Sequence, residues 1–250
     1  MLNTDLPVEP EPQRIQRILN WLWHNKIKSL FGGLLLWMFF EVIFLPFGEI
    51  SRLKSANPVE TAFMRHHEER AREEGKPFTK RQRWIPLSRL PKHLLNAVLV
   101  SEDGTFWSHN GFDWFEFRES FERNLRDGKF TRGASTITQQ LVKNLFLSPS
   151  KNPLRKVKEW ILTWRMEQVL SKSRILELYM NVIEWGDGIY GADAASQHYF
   201  GIPSALISRT EAARLAAIIP NPRRYRPDGT SRYITRRAEL ILRRMSARGL

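Results

Sequence analysis

The 250-residue chain contains no cysteine. That absence excludes disulfides, thiolate zinc sites and cysteine nucleophiles. It also suits an oxidising compartment, where a chain without thiols cannot mispair. Acidic residues are scarce beside basic ones: 26 Asp and Glu stand against 39 Lys and Arg, a formal net charge of +13. Such an excess favours an anionic partner, whether nucleic acid, an anionic membrane surface or a phosphorylated substrate. The charge is dispersed and no nucleic-acid-binding motif accompanies it, so nucleic acid is set aside as a partner. Alternating strand patterns are few and there is no internal repeat, whereas helical periodicity runs almost throughout from Ile85 onward. The expected fold class is all-α.

One long apolar run is present. Residues 29–48 contain a single ionisable side chain, Glu41. About twenty residues at 1.5 Å each span the roughly 30 Å hydrocarbon core of a bilayer. Trp21, Trp23 and Trp37 suit interfacial positions. No small-x-small cleavage site follows, which favours a retained helix over a signal peptide. Arg14, Arg17, Lys26 and Lys28 precede the run, while Arg52 and Lys54 follow it. That bias predicts an N terminus in the cytoplasm and all later residues outside it. The chain thus divides into a cytoplasmic tail at 1–28, disordered through 13, a transmembrane helix at 29–48, a charged linker at 49–83 and a helical domain at 84–250. Within the linker, His66, His67 and Glu68 lack a completing metal-ligand spacing, and the mixed charge reads as a solvated helix.

Four segments carry candidate chemistry. In the first, Glu102 and Asp103 precede Gly104, which ends a helix and sets Glu102 at a junction where it can project into a cleft. The second runs from Arg132 to Asn144. Its Ser135 and Thr136 ahead of Gln139 predict a capping box, and free N–H groups at the helix start offer a seat for phosphate oxygens. Gln140, Lys143 and Asn144 fall on one face of that helix. The third sets Arg155 one helical turn before Glu159, after an Asn152-Pro153 helix start. The fourth, Lys172 to Asn181, reads as a packing helix with a glycine-rich exit through Gly186, Gly188 and Gly191. Beyond these, a helix opens near Thr210-Glu211 and is broken by Pro220, and 231–250 forms a basic amphipathic helix.

In this order the segments resemble the peptidoglycan glycosyltransferases, a family that also supplies the glycosyltransferase domain of class A penicillin-binding proteins. Its signatures are Glu-Asp-x-x-Phe-x-x-His-x-Gly, Gly-Ala-Ser-Thr-Ile-x-Gln-Gln with Lys-Asn soon after, Arg-Lys-x-x-Glu, and Ile-Leu-x-x-Tyr-x-Asn. The stretch from Glu211 to Pro222 is similar to a fifth. The resemblance covers residues 87–225. Thr163-Trp164 departs from it, since smaller residues are usual there.

The resemblance implies a lysozyme-like helical domain. It would polymerise lipid II, a disaccharide-pentapeptide on polyprenyl pyrophosphate, into β-1,4-linked glycan with inversion and release of the lipid pyrophosphate. A sugar hydroxyl needs its proton accepted, and Glu102 is implied as that base. The departing pyrophosphate needs its charge neutralised, for which Lys143, Arg155 and Lys156 are the candidates, with Lys151 a further one. Glu159 orients those cations, binds a divalent ion or assists departure; all three stay open. Asp103, Phe106, His109, Ser135, Thr136, Gln139, Gln140 and Asn144 are the remaining substrate-binding candidates. Trp107, Phe112, Trp114 and Phe115 are expected to meet the membrane interface. No cofactor is implied beyond a divalent cation such as magnesium near the pyrophosphate. Expected partners are lipid II, the nascent strand, the membrane and other wall-synthesis or division proteins, at the inner membrane with the catalytic domain periplasmic.

Three rivals stand beside this reading. A lysozyme-like hydrolase or lytic transglycosylase also uses a glutamate but needs no phosphate-binding cations. A non-catalytic scaffold would tolerate loss of Glu102. Ser51-Arg52-Leu53-Lys54 and Ser148-Pro149-Ser150-Lys151 mimic a transpeptidase motif, but no Lys-Thr-Gly partner accompanies them.

Overall fold

Helices make up nearly all of the regular structure, as expected of an all-α chain. The computed structural model describes residues 11–127, 135–149 and 152–250, and the chain separates into two units, Met1–Leu45 and Pro46–Leu250. Arg132, Gly133, Ala134, Ser150 and Lys151 therefore lie outside the described residues, as does most of the expected disordered tail. The last of those tail residues open a helix, α1 (Glu11–His24).

In the first unit α1 is followed by α2 (Lys26–Ile43). Leu30, Phe31, Leu34, Leu36, Trp37, Phe39, Phe40 and Ile43 all lie exposed along α2. A helix apolar on every side and uncovered by protein is suited to lipid. The stretch Lys26–Arg52 contains an 18-residue window with a mean hydropathy of 2.0 and is, among the described residues, the one long and apolar enough to cross a membrane. Helix α2 starts before the expected span of 29–48 and ends short of it, at Ile43.

The second unit begins at Pro46, inside the expected span of 29–48, and takes in the segment 49–83 expected to be a linker. That segment is folded into the body: α3 (Phe47–Arg52) packs on a later helix, α8 (Pro153–Val169), and α4 (Ala62–Glu73) packs on α7 (Ile137–Phe146). Thr61 caps α4 by accepting the Met64 N–H at 3.1 Å, and Ile50, Leu53, Thr61 and Met64 are buried. The charged residues of α4 occupy its outer face, which is why composition reads as linker while a narrow apolar face still docks.

Helix α5 (Lys92–Glu102) is held by α11 (Arg209–Ile218) and α12 (Arg232–Ala247). Ala212, Ala213, Ala216 and Ala217 give α11 a small-residue surface, all of it buried. Ser208, ahead of the expected Thr210 start, caps α11 in a capping box with Glu211. Helix α7 packs against both α8 and α9 (Lys172–Val182), while α6 (Trp114–Asp127) carries an uncovered face. A minimal sheet closes the remaining edge. Its β1 (Arg81–Gln82) runs parallel to β3 (Ile189–Tyr190), which pairs antiparallel with β2 (Glu184–Gly186), and α10 (Ala192–Phe200) follows. Asn181 ties α9 to this edge, its side chain accepting from Ile85 N–H at 2.8 Å and donating to Ile85 O at 2.9 Å.

Candidate active site

Glu102 is the last residue of α5 and lines a polar cleft of about 270 Å³ with Ser101, Asp103, Asp113, Glu116, Ser135, Arg244 and Arg248. Both of its oxygens are held. Ser101 Oγ donates to Oε1 at 3.0 Å and Arg237 Nη2 lies 3.3 Å from the same atom, while Gln140 Nε2 donates to Oε2 at 3.2 Å. The Gln140 amide is oriented in turn, because its Oε1 accepts the Tyr179 hydroxyl at 2.9 Å. Burial pushes the Glu102 carboxyl above the ordinary carboxylate range, against the opposing pull of Gln140, Arg237 and Ser101. Burial, and then Glu102 and Asp103, push the Tyr179 hydroxyl well above its ordinary range, so it serves as a donor.

Asp103 lines the cleft, but its carboxylate is turned to the fold. Its Oδ1 lies 2.9 Å from His109 Nε2, and its Oδ2 accepts the Ile137 N–H at 2.9 Å. His109 Nδ1 accepts from Gly111 N–H at 3.1 Å, which leaves Nε2 as the donor to Asp103. Thr136 forms the expected capping box with Gln139 and also donates from Oγ1 to Gly111 O at 2.7 Å. The first-turn N–H groups of Ile137 and Gln139 are therefore occupied by Asp103 and Thr136. This corrects the expected phosphate seat: the positive end of α7 does attract an anion, but the chain's own Asp103 fills it. Phe106 is a core residue with the Lys172 ammonium over its ring at 4.4 Å, and Asn144 donates to Gln140 O at 2.8 Å. Asp103, Phe106, His109, Thr136 and Asn144 thus shape the cleft from within the fold.

Glu159 is buried on α8 beneath its own cations. It accepts from Arg155 Nη1 at 3.1 Å and pairs with the Lys156 ammonium. Lys143, on α7, lies within the electrostatic reach of both carboxylates. Burial lowers its hold on its proton; Glu159 opposes this, Arg155 and Lys156 add to it, and Glu102 opposes it. Lys156 also lines a second, mainly aromatic cleft of about 160 Å³ with Phe112, Trp114, Phe117, Trp160, Ser135 and Gln139. The two clefts share Asp113 and Ser135. A polar space holding Glu102 therefore adjoins an apolar one with a cation on its wall.

The apolar side extends outward. Phe112 stacks on Trp114 with ring centroids 5.7 Å apart, and Trp107, Trp114, Phe115, Phe117 and Phe121 are exposed. Exposure reaches 65% at Trp114 and 72% at Phe115. Val157, Trp160 and Trp164 add an exposed stripe on α8.

The arrangement has clear relatives. The sequence profile of the transglycosylase family matches residues 68–246. The chain belongs to the transglycosylase family. It is 45% identical over 194 residues to the biosynthetic peptidoglycan transglycosylase of Janthinobacterium sp. (strain Marseille), covering 78% of this chain and 84% of that one. Against the protein of the same name from Methylobacillus flagellatus, identity is 42% over 222 residues, covering 88% and 97%. For Nitrosospira multiformis the figures are 41% over 211 residues, 84% and 88%. This transglycosylase is accordingly an enzyme of peptidoglycan biosynthesis, a glycosyltransferase.

In this transglycosylase, sequence motifs distant along the chain converge. Glu102 of the first, Gln140 of the second and Tyr179 of the fourth form one hydrogen-bonded chain. Glu159 of the third lines neither cleft, and what it shares with Glu102 is its electrostatic pull on Lys143. Sequence reasoning missed Ser101 and Arg237. The 231–250 helix is legibly basic, yet nothing in its local pattern marks Arg237 among its arginines, because the contact spans 135 residues.

Proposed function

We propose that the enzyme polymerises lipid II into β-1,4-linked glycan, using Glu102 as general base. The observation that carries this is Glu102 itself: a largely buried carboxylate, fixed at both oxygens, lining an open cleft beside a cationic cluster. In the proposed step an acceptor hydroxyl attacks the anomeric carbon of the donor strand while Glu102 accepts its proton. The bond to the donor pyrophosphate breaks as the new glycosidic bond forms, and attack from the face opposite the leaving group inverts the centre. Lys143, Arg155 and Lys156 would neutralise the departing polyprenyl pyrophosphate. Glu159 would hold Arg155 and Lys156 in place, a role its burial beneath them supports.

No step is routed through a metal. Among the described residues no three His, Asp or Glu side chains are disposed to hold one. The two oxygens of Asp103 are already engaged by His109 and the α7 backbone. The side-chain cations supply the charge that a divalent ion would bring.

Helix α2 would anchor the enzyme in the inner membrane with the catalytic unit on the periplasmic side, as the basic residues before the span suggest. The exposed aromatic residues of α6 would enter the interface and hold the lipid-borne sugar at the cleft. Incubating the purified enzyme with labelled lipid II tests the reading: polymer and free polyprenyl pyrophosphate are expected from wild type, and no polymer from Glu102→Gln or Glu159→Gln. Release of sugar fragments from preformed glycan without consumption of lipid II would instead show a hydrolase.

A further inference from the structure

The proposed base has a partner that the chemistry has not yet used. Arg237 projects from α12, and its Nη2 lies 3.3 Å from Glu102 Oε1 and 3.1 Å from Ser101 Oγ. Among the described residues it is the one cation within ion-pair distance of Glu102. The rotation of α12 is set by Ile234, Ala238, Ile241 and Met245, all buried against the body. Once that face is seated, Arg237 has little freedom to point elsewhere. Its Nε is buried and makes no hydrogen bond. The guanidinium therefore leaves one donor unsatisfied while Nη2 serves Ser101 and Glu102, and a buried donor without a partner persists where another interaction compensates it.

The other groups facing Glu102 do not duplicate this contact. From α7, Gln140 offers a neutral donor and Lys143 acts at longer range; from α9, the Tyr179 hydroxyl is engaged by Gln140. Arg244 and Arg248 line the same cleft from α12, with Arg248 donating to Gly104 O at 2.9 Å. Three further carboxylates line the cleft: Asp103, Asp113 and Glu116. Of these, Asp103 is engaged by His109 and Ile137, and Asp113 accepts the Glu116 N–H at 2.8 Å.

We propose that Arg237, through its contact with Glu102 Oε1, is the positioning residue that keeps this carboxylate ionised and aimed into the cleft. The proposal rests on the reading of Glu102 as base. Burial favours the neutral carboxylic acid, which cannot take a proton from the acceptor hydroxyl. A guanidinium beside Oε1 shifts the balance back toward the anion and, with Gln140 on Oε2, fixes the carboxylate plane. It touches neither substrate in the proposed step. When Glu102 takes the acceptor's proton, Arg237 keeps its own, and the resulting acid returns the proton to water in the open cleft.

The test is the pH dependence of polymerisation by the full-length enzyme in detergent with labelled lipid II, for wild type, Arg237→Gln, Arg237→Met and Arg237→Lys. Removing an adjacent opposite charge raises a carboxyl group by about 1 pH unit or more. The acidic limb of the rate profile should move up by that much in the Gln and Met variants, with KM for lipid II little changed and much of the rate recovered at higher pH. The Lys variant should keep the limb close to wild type. A uniform loss of rate at every pH with an unmoved acidic limb would overturn the proposal, as would a limb displaced equally in the Lys variant. The Met variant keeps the test open should glutamine at this site prevent folding. Absence of polymer from wild type would instead sink the reading of the enzyme as a lipid II polymerase, on which the proposal rests.

Discussion

Gln140 donates to Glu102 at 3.2 Å while accepting the buried Tyr179 hydroxyl at 2.9 Å, so a carboxylate on α5 is fixed by an amide on α7 that is itself fixed from α9. Replacing Gln140 by Leu removes a donor from Glu102 and orphans the Tyr179 hydroxyl. A hydrogen bond to a charged group contributes about 1.5–3 kcal/mol. A loss of that size at the transition state corresponds to about 10–100-fold in rate. We expect kcat/KM for lipid II to fall in that range, and Tyr179→Phe, which only frees the amide, to cost less. Equal losses in both variants would contradict the proposed chain of contacts.

Glu102 should limit stability as well as drive chemistry. Its carboxyl is raised in the fold, chiefly by burial. A raised acid favours the folded state only while protonated, so the contribution of Glu102 to stability is fully present below the ordinary value of 4.5 and is lost as pH rises through the raised value. Glu102→Gln is therefore expected to melt higher than wild type at neutral pH, with the gap closing as pH falls below about 4.5. Thermal melts across pH check this, and a variant less stable at neutral pH would refute it.

Asp103 occupies the start of α7 and anchors His109. Asp103→Asn retains the shape but forfeits the charge-assisted bonds, for an expected loss on the order of 2 kcal/mol. Chemical denaturation monitored by circular dichroism should show a lower midpoint. If Asp103 faced substrate alone, stability would stay unchanged while activity fell.

Gly111 adopts φ of +87°, and a Cβ there would stand 2.8 Å from Thr163 Cγ2 and 2.9 Å from Glu167 Cγ. Its carbonyl also receives Thr136 Oγ1. Gly111→Ala combines left-handed strain with steric overlap, and a cost of about 1–3 kcal/mol is expected, read as a lower denaturation midpoint. Thr163 Cγ2 is the nearer of the two atoms in the way, so Thr163→Ala should soften the effect in the double variant.

Trp114 and Phe115 together expose a large apolar surface on α6. In a chain beginning at residue 46, which lacks α1 and α2, Trp114→Ser with Phe115→Ser should weaken binding to anionic liposomes in a flotation assay. Undiminished flotation would count against an interfacial role for α6.

Local chemistry was enough to place much of this from the amino-acid order. Helix α5 ends at Glu102, with the catalytic candidate at its tip as the Glu102-Asp103-Gly104 order indicates, although Asp103 makes the break and Gly104 takes no left-handed conformation; Thr136 with Gln139 builds the α7 cap, and Asn152-Pro153 starts α8. Helix starts, helix ends and an uninterrupted apolar span depend on neighbours a few residues away, so they are written in the sequence directly. The charged stretch ahead of residue 84 was misleading for the same reason: composition registered its solvent face, while its burial at Ile50 and Met64 depended on partners far along the chain. Only the tertiary structure decided that Asp103 fills the α7 N terminus, that Glu159 lies beneath its cations, and that Arg237 among the many arginines of α12 meets Glu102. Those outcomes follow from how helices rotate as their apolar faces are buried, a long-range constraint that brings together groups with no local signal of their meeting.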